Sequence, residues 1–158
     1  MKKISSADLF HDPINWLAFG FGSGLAAKAP GTFGTIACIP IYWLMAGLDL
    51  SIYLAICLVI CLSGIYICQH AAKHLDTHDH PGIVWDEFAG LLIALIAVPF
   101  SWTNLLIAFL LFRVFDIFKP WPISWLDKKV SGGLGIMLDD IVAGLFALVC
   151  MHTLLYFY

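Results

Sequence analysis

The chain has 158 residues, of which 61% are hydrophobic and only 12% are charged, and its formal net charge at pH 7 is −3. Soluble domains carry roughly 25% charged residues, so this composition excludes a freely soluble monomer and predicts an integral membrane protein. The negative net charge also excludes a protein that binds the phosphate backbone of nucleic acids, because such binding requires a basic surface.

We interpret residues 1–158 as one integral-membrane domain, with an N-terminal cytoplasmic or interfacial segment at 1–32 and a helix bundle at 33–158. The chain starts with two lysines and continues SSADLFHDP, which has no apolar run or cleavage site, so no signal peptide is expected. The following stretch, FGFGSGLAAKAPGTFGT, is rich in glycine. Its backbone N–H groups could bind a phosphate, or its glycines could serve helix packing, and both interpretations stay open.

Four uncharged stretches predict the membrane helices. They are Phe33–Leu48, Leu50–Gln69, Phe88–Phe112 and Ile141–Tyr158. A proline followed by small polar residues interrupts the third stretch at 99–104. The pattern predicts an all-α fold, a polytopic membrane helix bundle of about four to five transmembrane helices. Some of these helices are short against the roughly 20 residues of a bilayer crossing.

The positive charges fall on alternate connections of this bundle. They are Lys2, Lys3, Lys28, Lys73, Arg113, Lys119, Lys128 and Lys129. Cytoplasmic loops hold the excess of Lys and Arg in membrane proteins. The N-terminus is therefore predicted to be cytoplasmic, and five crossings would place the C-terminus outside.

Five carboxylates lie on the same predicted side of the membrane. They are Asp86 and Glu87 at the start of the third helix, Asp116 near the end of the fourth, and Asp139 and Asp140 at the start of the fifth. Capping of helix N-termini would explain one acid per helix, but adjacent like charges repel and need another reason. Oxygen ligands of this kind suit Mg²⁺ or Mn²⁺. The sequence therefore favours a metal-binding or catalytic site.

A glycine follows an acid by four residues in two of these helices. Gly90 follows Asp86, and Gly144 follows Asp140. In a helix, this spacing places the glycine one turn deeper on the face of the acid. Small residues allow membrane helices to approach closely. We expect the two helices to touch at Gly90 and Gly144 and to bring their carboxylates together.

The cations near the acids have two interpretations. Arg113, Asp116 and Lys119 recur every three residues before Pro120 and could share one helix face. Arg113 and Asp116 could also form only a local ion pair.

A histidine cluster, QHAAKHLDTHDHP, predicts either a second metal site or a hydrated loop. His70 and His74 are four residues apart and could bind a transition metal, with His78, Asp79 or His80 completing the site. The alternative is a cytoplasmic loop of which one or two residues border the carboxylate site.

Metal-binding carboxylates, a few cations and a glycine-rich stretch on one interface together suggest phosphate-ester chemistry on a lipid headgroup. Known phosphatase nucleophiles, however, are absent from the sequence. The only arginine, Arg113, has Ile107 six residues before it where a phosphocysteine enzyme needs cysteine, and Val114 after it where the lipid-phosphatase histidine motif needs proline. The aspartyl-phosphate motif DxDxT/V and the phosphotransferase motif DGxxAR are also missing. The mechanism that is left is attack by a metal-activated water on a lipid phosphate ester.

Four blocks of the sequence resemble one family. The blocks FGSGLAAKAPGTFGT, HDHPGIVWDEFAG, FRVFDIFKPWPI and GGLGIMLDDIVAG are similar, in this order, to those of the bacterial phosphatidylglycerophosphatase A family over roughly Trp16 to Ala147. Members of that family dephosphorylate phosphatidylglycerophosphate to phosphatidylglycerol. The resemblance implies a Mg²⁺-dependent phosphomonoesterase, embedded as a multi-pass protein in the bacterial cytoplasmic (inner) membrane, with a phospholipid substrate.

The expected site follows from these blocks and from the charge pattern. The expected catalytic and metal-binding residues are Asp86, Glu87, Asp116, Asp139 and Asp140. The expected phosphate-binding residues are Lys28, Thr32, Thr35, Arg113 and Lys119, with His78 and His80 at the border of the site. Glu87 is the candidate acceptor of the proton from the attacking water. Two other classes stay open: a small divalent-cation transporter or channel, and a lipid-binding membrane protein without catalytic activity.

Overall fold

The computed structural model describes residues 12–77 and 80–157, and these residues form seven α-helices and no strand. The helices are α1 Pro13–Ala18, α2 Pro30–Met45, α3 Leu50–His74, α4 Trp85–Ala94, α5 Trp102–Phe118, α6 Ile123–Lys129 and α7 Gly132–Phe157. A 3₁₀ segment, Gly20–Leu25, connects α1 to α2. The predicted all-α fold is confirmed.

Two of the described helices, α3 and α7, are long and apolar enough to cross a membrane. Their 25 and 26 residues correspond to about 38 Å each, at a rise of 1.5 Å per residue. The apolar side chains of α3 are largely exposed, with Leu58 at 59%, Val59 at 63% and Leu62 at 59%. An exposed apolar surface of this kind is suited to lipid. The larger number of four to five crossings stays a prediction.

The interruption of the third apolar stretch separates α4 from α5, as predicted. α4 ends at Ala94, and Ala97 in the connection has a positive φ of 55°. Ser101 caps α5 by accepting a hydrogen bond from the backbone N–H of Asn104 at 3.0 Å. The 10-residue helix α4 is therefore short, and every residue from Glu87 to its end is buried. It is the centre of the bundle, packed by α2, α3, α5 and α7.

The crossing of α4 and α7 depends on two glycines. A Cβ atom on Gly144 would lie 2.5 Å from the carbonyl oxygen of Gly90. A Cβ atom on Gly90 would lie 2.9 Å from the carbonyl oxygen of Asp140 and 2.3 Å from the ring of Phe112. These distances leave no room for a side chain at either position. The predicted contact between the two glycines is confirmed.

The predicted start of the last helix is wrong. α7 begins at Gly132, so Asp139 and Asp140 lie seven and eight residues inside the helix instead of opening it. Gly133 packs against the backbone of α3, and its N–H donates to Oε1 of Gln69 at 2.8 Å. The glycines before the acids thus serve a close helix contact and not a loop. The free N–H groups of a helix start do not explain the two acids.

The glycine-rich 3₁₀ segment lies against the loop that precedes α4. A Cβ atom on Gly24 would lie 2.0 Å from the carbonyl oxygen of Gly82. The backbone N–H of Val84 donates to the carbonyl oxygen of Ala18 at 2.8 Å. These backbone contacts fix the segment next to the first turn of α4, where two of the five acids lie.

We predict that Gly144→Ala lowers the free energy of unfolding by about 1–3 kcal/mol, the usual cost of adding a methyl group to a filled contact. The added methyl group must push α4 away from α7, because it would meet the Gly90 carbonyl oxygen at 2.5 Å. Gly47→Ala is the matched control, since no heavy atom lies within 4 Å of its added Cβ. Denaturant unfolding in detergent measures both variants, and equal stabilities would contradict the prediction.

Candidate active site

Three carboxylates meet where the first turn of α4 faces α7. Asp86, Glu87 and Asp140 each offer one oxygen, and these oxygens all lie within 4.8 Å of one another. Glu87 is only 8% exposed and Asp140 only 3%. The contact of α4 with α7 one turn deeper holds the two helices close enough for this approach. We call these residues the three-carboxylate group.

The three-carboxylate group has the composition of a cation site. Oε2 of Glu87 and Oδ2 of Asp140 are buried and accept no hydrogen bond from the residues that the structure describes. Burial of an unpaired carboxylate costs several kcal/mol, and three neighbouring carboxylates also repel one another. Mg²⁺ and Mn²⁺ prefer carboxylate oxygens and water as ligands. The donor set therefore fits a hard divalent cation.

Arg113 on α5 connects this helix to the three-carboxylate group. Its Nη1 lies 2.7 Å from Oδ2 of Asp116 and 3.6 Å from Oε1 of Glu87. The ion pair between Arg113 and Asp116 is therefore present, but it is part of the site and not merely local to α5.

The start of α2 closes the site on the side of the glycine-rich segment. The buried Thr35 donates from Oγ1 to the carbonyl oxygen of Gly31 at 2.8 Å and accepts from Nη1 of Arg113 at 3.5 Å. A Cβ atom on Gly31 would lie 2.1 Å from Oε1 of Glu87 and 3.1 Å from the guanidinium of Arg113. Only glycine permits α2 to approach both charged groups so closely.

Asp139 has a different partner from Asp140. Nζ of Lys119 donates to Oδ2 of Asp139 at 2.5 Å and to Oδ1 of Asp127 at 2.6 Å. Burial by itself would lower the pKa of Lys119, but these two hydrogen bonds raise it above its ordinary value. An ammonium group has three N–H donors, so one is left over after the two bonds made within the described part of the chain. Asp139 therefore forms an ion pair with Lys119 and is not one of the three-carboxylate group.

Other predicted site residues lie apart from these contacts. Lys28 is exposed and forms no ion pair with a described residue, and Thr32 is half-buried with no side-chain hydrogen bond among them. His80 accepts a hydrogen bond at Nδ1 from the backbone N–H of Gly82 at 3.0 Å, so it supports the loop before α4. His78 lies outside the described residues.

Sequence reasoning missed Asp127 as a partner of Lys119. The two residues are eight positions apart, and the connection between α5 and α6 brings them together. The acid stands in the string WLDKK, where it has the pattern of an ordinary surface charge. Gly31 was not singled out either, although it lies in the glycine-rich stretch FGFGSGLAAKAPGTFGT.

The sequence profile of the family Phosphatidylglycerophosphatase A matches residues 16–155. This range includes the five predicted acids, Arg113 and Lys119.

Two curated relatives agree with this match. A phosphatidylglycerophosphatase A of Escherichia coli (strain K12) is 49% identical over 138 residues, which cover 86% of this chain and 80% of that protein. A phosphatidylglycerophosphatase A of Haemophilus influenzae (strain ATCC 51907 / DSM 11121 / KW20 / Rd) is 44% identical over 158 residues, which cover 99% of this chain and 94% of that protein. No solved structure matches the chain. The resemblance of the four sequence blocks is confirmed, and the chain belongs to the phosphatidylglycerophosphatase A family.

Proposed function

We propose that the protein hydrolyses the phosphomonoester of phosphatidylglycerophosphate to give phosphatidylglycerol and inorganic phosphate. Family membership and the names of the two relatives support this substrate. The observation that carries the reaction class is the three-carboxylate group next to the Arg113 guanidinium. This arrangement combines ligands for a cation with a positive charge for a phosphate oxygen.

Asp86, Glu87 and Asp140 would hold Mg²⁺ through their carboxylate oxygens. Mg²⁺ bound there would neutralise charge on the phosphoryl oxygens and lower the pKa of a coordinated water. In this proposal Asp116 and Asp139 position the cations, since they form ion pairs with Arg113 and Lys119 at the edge of the group. The two cations then keep fixed positions for the phosphate.

Different residues of the chain bind the phosphate and accept the proton during hydrolysis. Arg113 and the remaining N–H donor of Lys119 bind phosphate oxygens. Oε2 of Glu87, which accepts no hydrogen bond from a described residue, takes a proton from the attacking water. The new bond forms between the water oxygen and phosphorus, while the bond between phosphorus and the glycerol oxygen breaks. The glycerol oxygen takes a proton from solvent water and leaves as a free hydroxyl group, and Glu87 returns its proton to the solvent.

In this proposal the site faces the cytoplasm in the inner membrane, with the N-terminus on the cytoplasmic side. Lys73, Lys119, Lys128 and Lys129 fall on the side of the acids, which the distribution of Lys and Arg in membrane proteins makes cytoplasmic. Helices α2 and α5, with 16 and 17 residues, would cross a locally thinned bilayer. The 10-residue α4 would enter from the cytoplasmic side and end within the bilayer. The lipid reaches the site without leaving the membrane.

We predict that the purified protein in detergent micelles releases phosphate from phosphatidylglycerophosphate when Mg²⁺ is present. Release is expected to stop with a chelator and to return when Mg²⁺ is added back, because the three-carboxylate group needs a divalent cation. Phosphatidic acid, assayed in parallel, measures how strictly the enzyme selects its lipid. No release under any condition would contradict the proposed function and favour the transporter or lipid-binding interpretation.

We predict that Asp86→Asn, Glu87→Gln and Asp140→Asn each lower kcat/KM by roughly 100-fold or more, a loss of at least about 2.7 kcal/mol in transition-state stabilisation. Each substitution keeps the size of the side chain but removes a charged ligand. Asp49→Asn is the matched control, because Asp49 is exposed at the other end of α3. Activity of all three variants equal to that of the control would refute the role of the group.

Arg113→Lys tests whether the guanidinium fork is required. Nη1 of Arg113 by itself makes the contacts with Asp116, Glu87 and Thr35, so the guanidinium keeps further N–H donors for a phosphate. A lysine keeps the positive charge but has only one nitrogen for all of these partners. We expect kcat/KM to fall by roughly 10- to 100-fold, with a higher KM if Arg113 binds the phosphate. Lys129→Arg, at an exposed position, is the matched control. Unchanged kinetic constants in Arg113→Lys would rule out the proposed role.

A further inference from the structure

A second group of metal-ligand side chains lies where α1 meets the C-terminal end of α3. Asp12, His70 and His74 each offer one ligand atom, and these three atoms lie within 4.8 Å of one another. His70 is 2.7 Å and His74 is 3.7 Å from the Asp12 oxygen. His70 and His74 are one turn apart on the same face of α3. The structure thus supplies Asp12 as a third ligand, which the sequence does not reveal.

Asn15 adds a buried amide to this group. It is 1% exposed, and its Nδ2 lies 3.1 Å from Oδ2 of Asp12 and 3.2 Å from Nδ1 of His74. Its Oδ1 is buried and accepts no hydrogen bond from the described residues. A buried amide oxygen without a donor is costly. Rotation of the amide by half a turn exchanges the oxygen and the nitrogen, which places Oδ1 among the other three donor atoms and Nδ2 in the former place of Oδ1.

We propose that Asp12, His70, His74 and Oδ1 of Asn15 bind a transition-metal ion, with Zn²⁺ as its representative. Imidazole nitrogens suit Zn²⁺, whereas Mg²⁺ selects oxygen ligands alone. The two groups of ligands in this protein therefore favour different metals. Four tetrahedral ligands with bonds of about 2.1 Å lie about 3.4 Å apart. The distances of 2.7 and 3.7 Å from Asp12 to the two histidines lie on either side of this value.

The ion would connect α1 to α3 and so act on the active site from a distance. α1 leads directly into the 3₁₀ segment Gly20–Leu25. That segment packs on the loop before α4 through Gly24 and Gly82. Binding of the metal would stabilise this connection, and the ion itself would take no part in the hydrolysis.

The contacts of Asp12 can also be explained without a metal ion. Oδ1 of Asp12 already caps α1 by accepting the backbone N–H of Ile14 at 2.9 Å, and Oδ2 contacts His70. Without an ion, these contacts would only tie α1 to α3, with Nδ2 of Asn15 donating to Oδ2 of Asp12 at 3.1 Å. Measurement of metal binding by the whole chain separates the two arrangements.

The experiment is calorimetric titration of the purified full chain in detergent with Zn²⁺, in saturating Mg²⁺ so that the three-carboxylate group is occupied. We expect one Zn²⁺ per chain, and we expect His70→Ala and His74→Ala each to weaken binding by roughly 10- to 100-fold or more, in view of the loss that even outer-shell changes cause. His152→Ala is the matched control, since His152 lies near the far end of α7 and contacts the carbonyl oxygen of Ile96.

A shift of the unfolding midpoint provides the second readout. Zn²⁺ is expected to raise the midpoint of the unmodified chain and of His152→Ala, but not that of His74→Ala. The side chain of His74 is 51% exposed, so its removal is expected to leave the fold intact, which far-ultraviolet circular dichroism checks. Absence of Zn²⁺ binding by the unmodified chain, or an affinity of both histidine variants equal to that of the unmodified chain, would overturn the proposal. Phosphate release with Mg²⁺ alone is a separate measurement.

Discussion

The close approach of α4 and α7 at Gly90 and Gly144 is the constraint on which the site depends. Because neither residue has a side chain, the backbones of the two helices touch, and the carboxylates one turn away must share the same space. The mutual repulsion of the acids opposes this contact, whereas burial of α4 from Glu87 to its end supports it. The fold thus holds together a group of charges that would separate in a looser bundle.

The cations of the site are held by acids before any substrate binds. Arg113 contacts Asp116 and Glu87, and Lys119 contacts Asp127 and Asp139. Each cation therefore has a fixed position, so in the proposed reaction a phosphate would not have to order a flexible side chain on binding. This division of labour explains why five acids occur together although only three of them form the group that fits a divalent cation.

The glycine-rich segment joins the two parts of the molecule that carry candidate metal ligands. On one side it follows α1, whose first residues adjoin Asp12 and the histidines of α3. On the other side it leads into α2, where Gly31 lies against Glu87 and Arg113. Gly24 packs against Gly82 and Gly31 packs against Glu87 and Arg113, and this packing brings the start of α2 to the site.

The sequence by itself determined the helical class, the apolar character, the family and the identity of the acids, because composition and helix period are local properties. It also determined the contact of Gly90 with Gly144, since spacing of four residues places glycine and acid on one face. Only the tertiary structure decided the start of α7 at Gly132, the separation of Asp139 from Asp140, and the partners of Lys119 and His70. Adjacent residues of a helix point about 100° apart, so their partners depend on which other helices pack on each face.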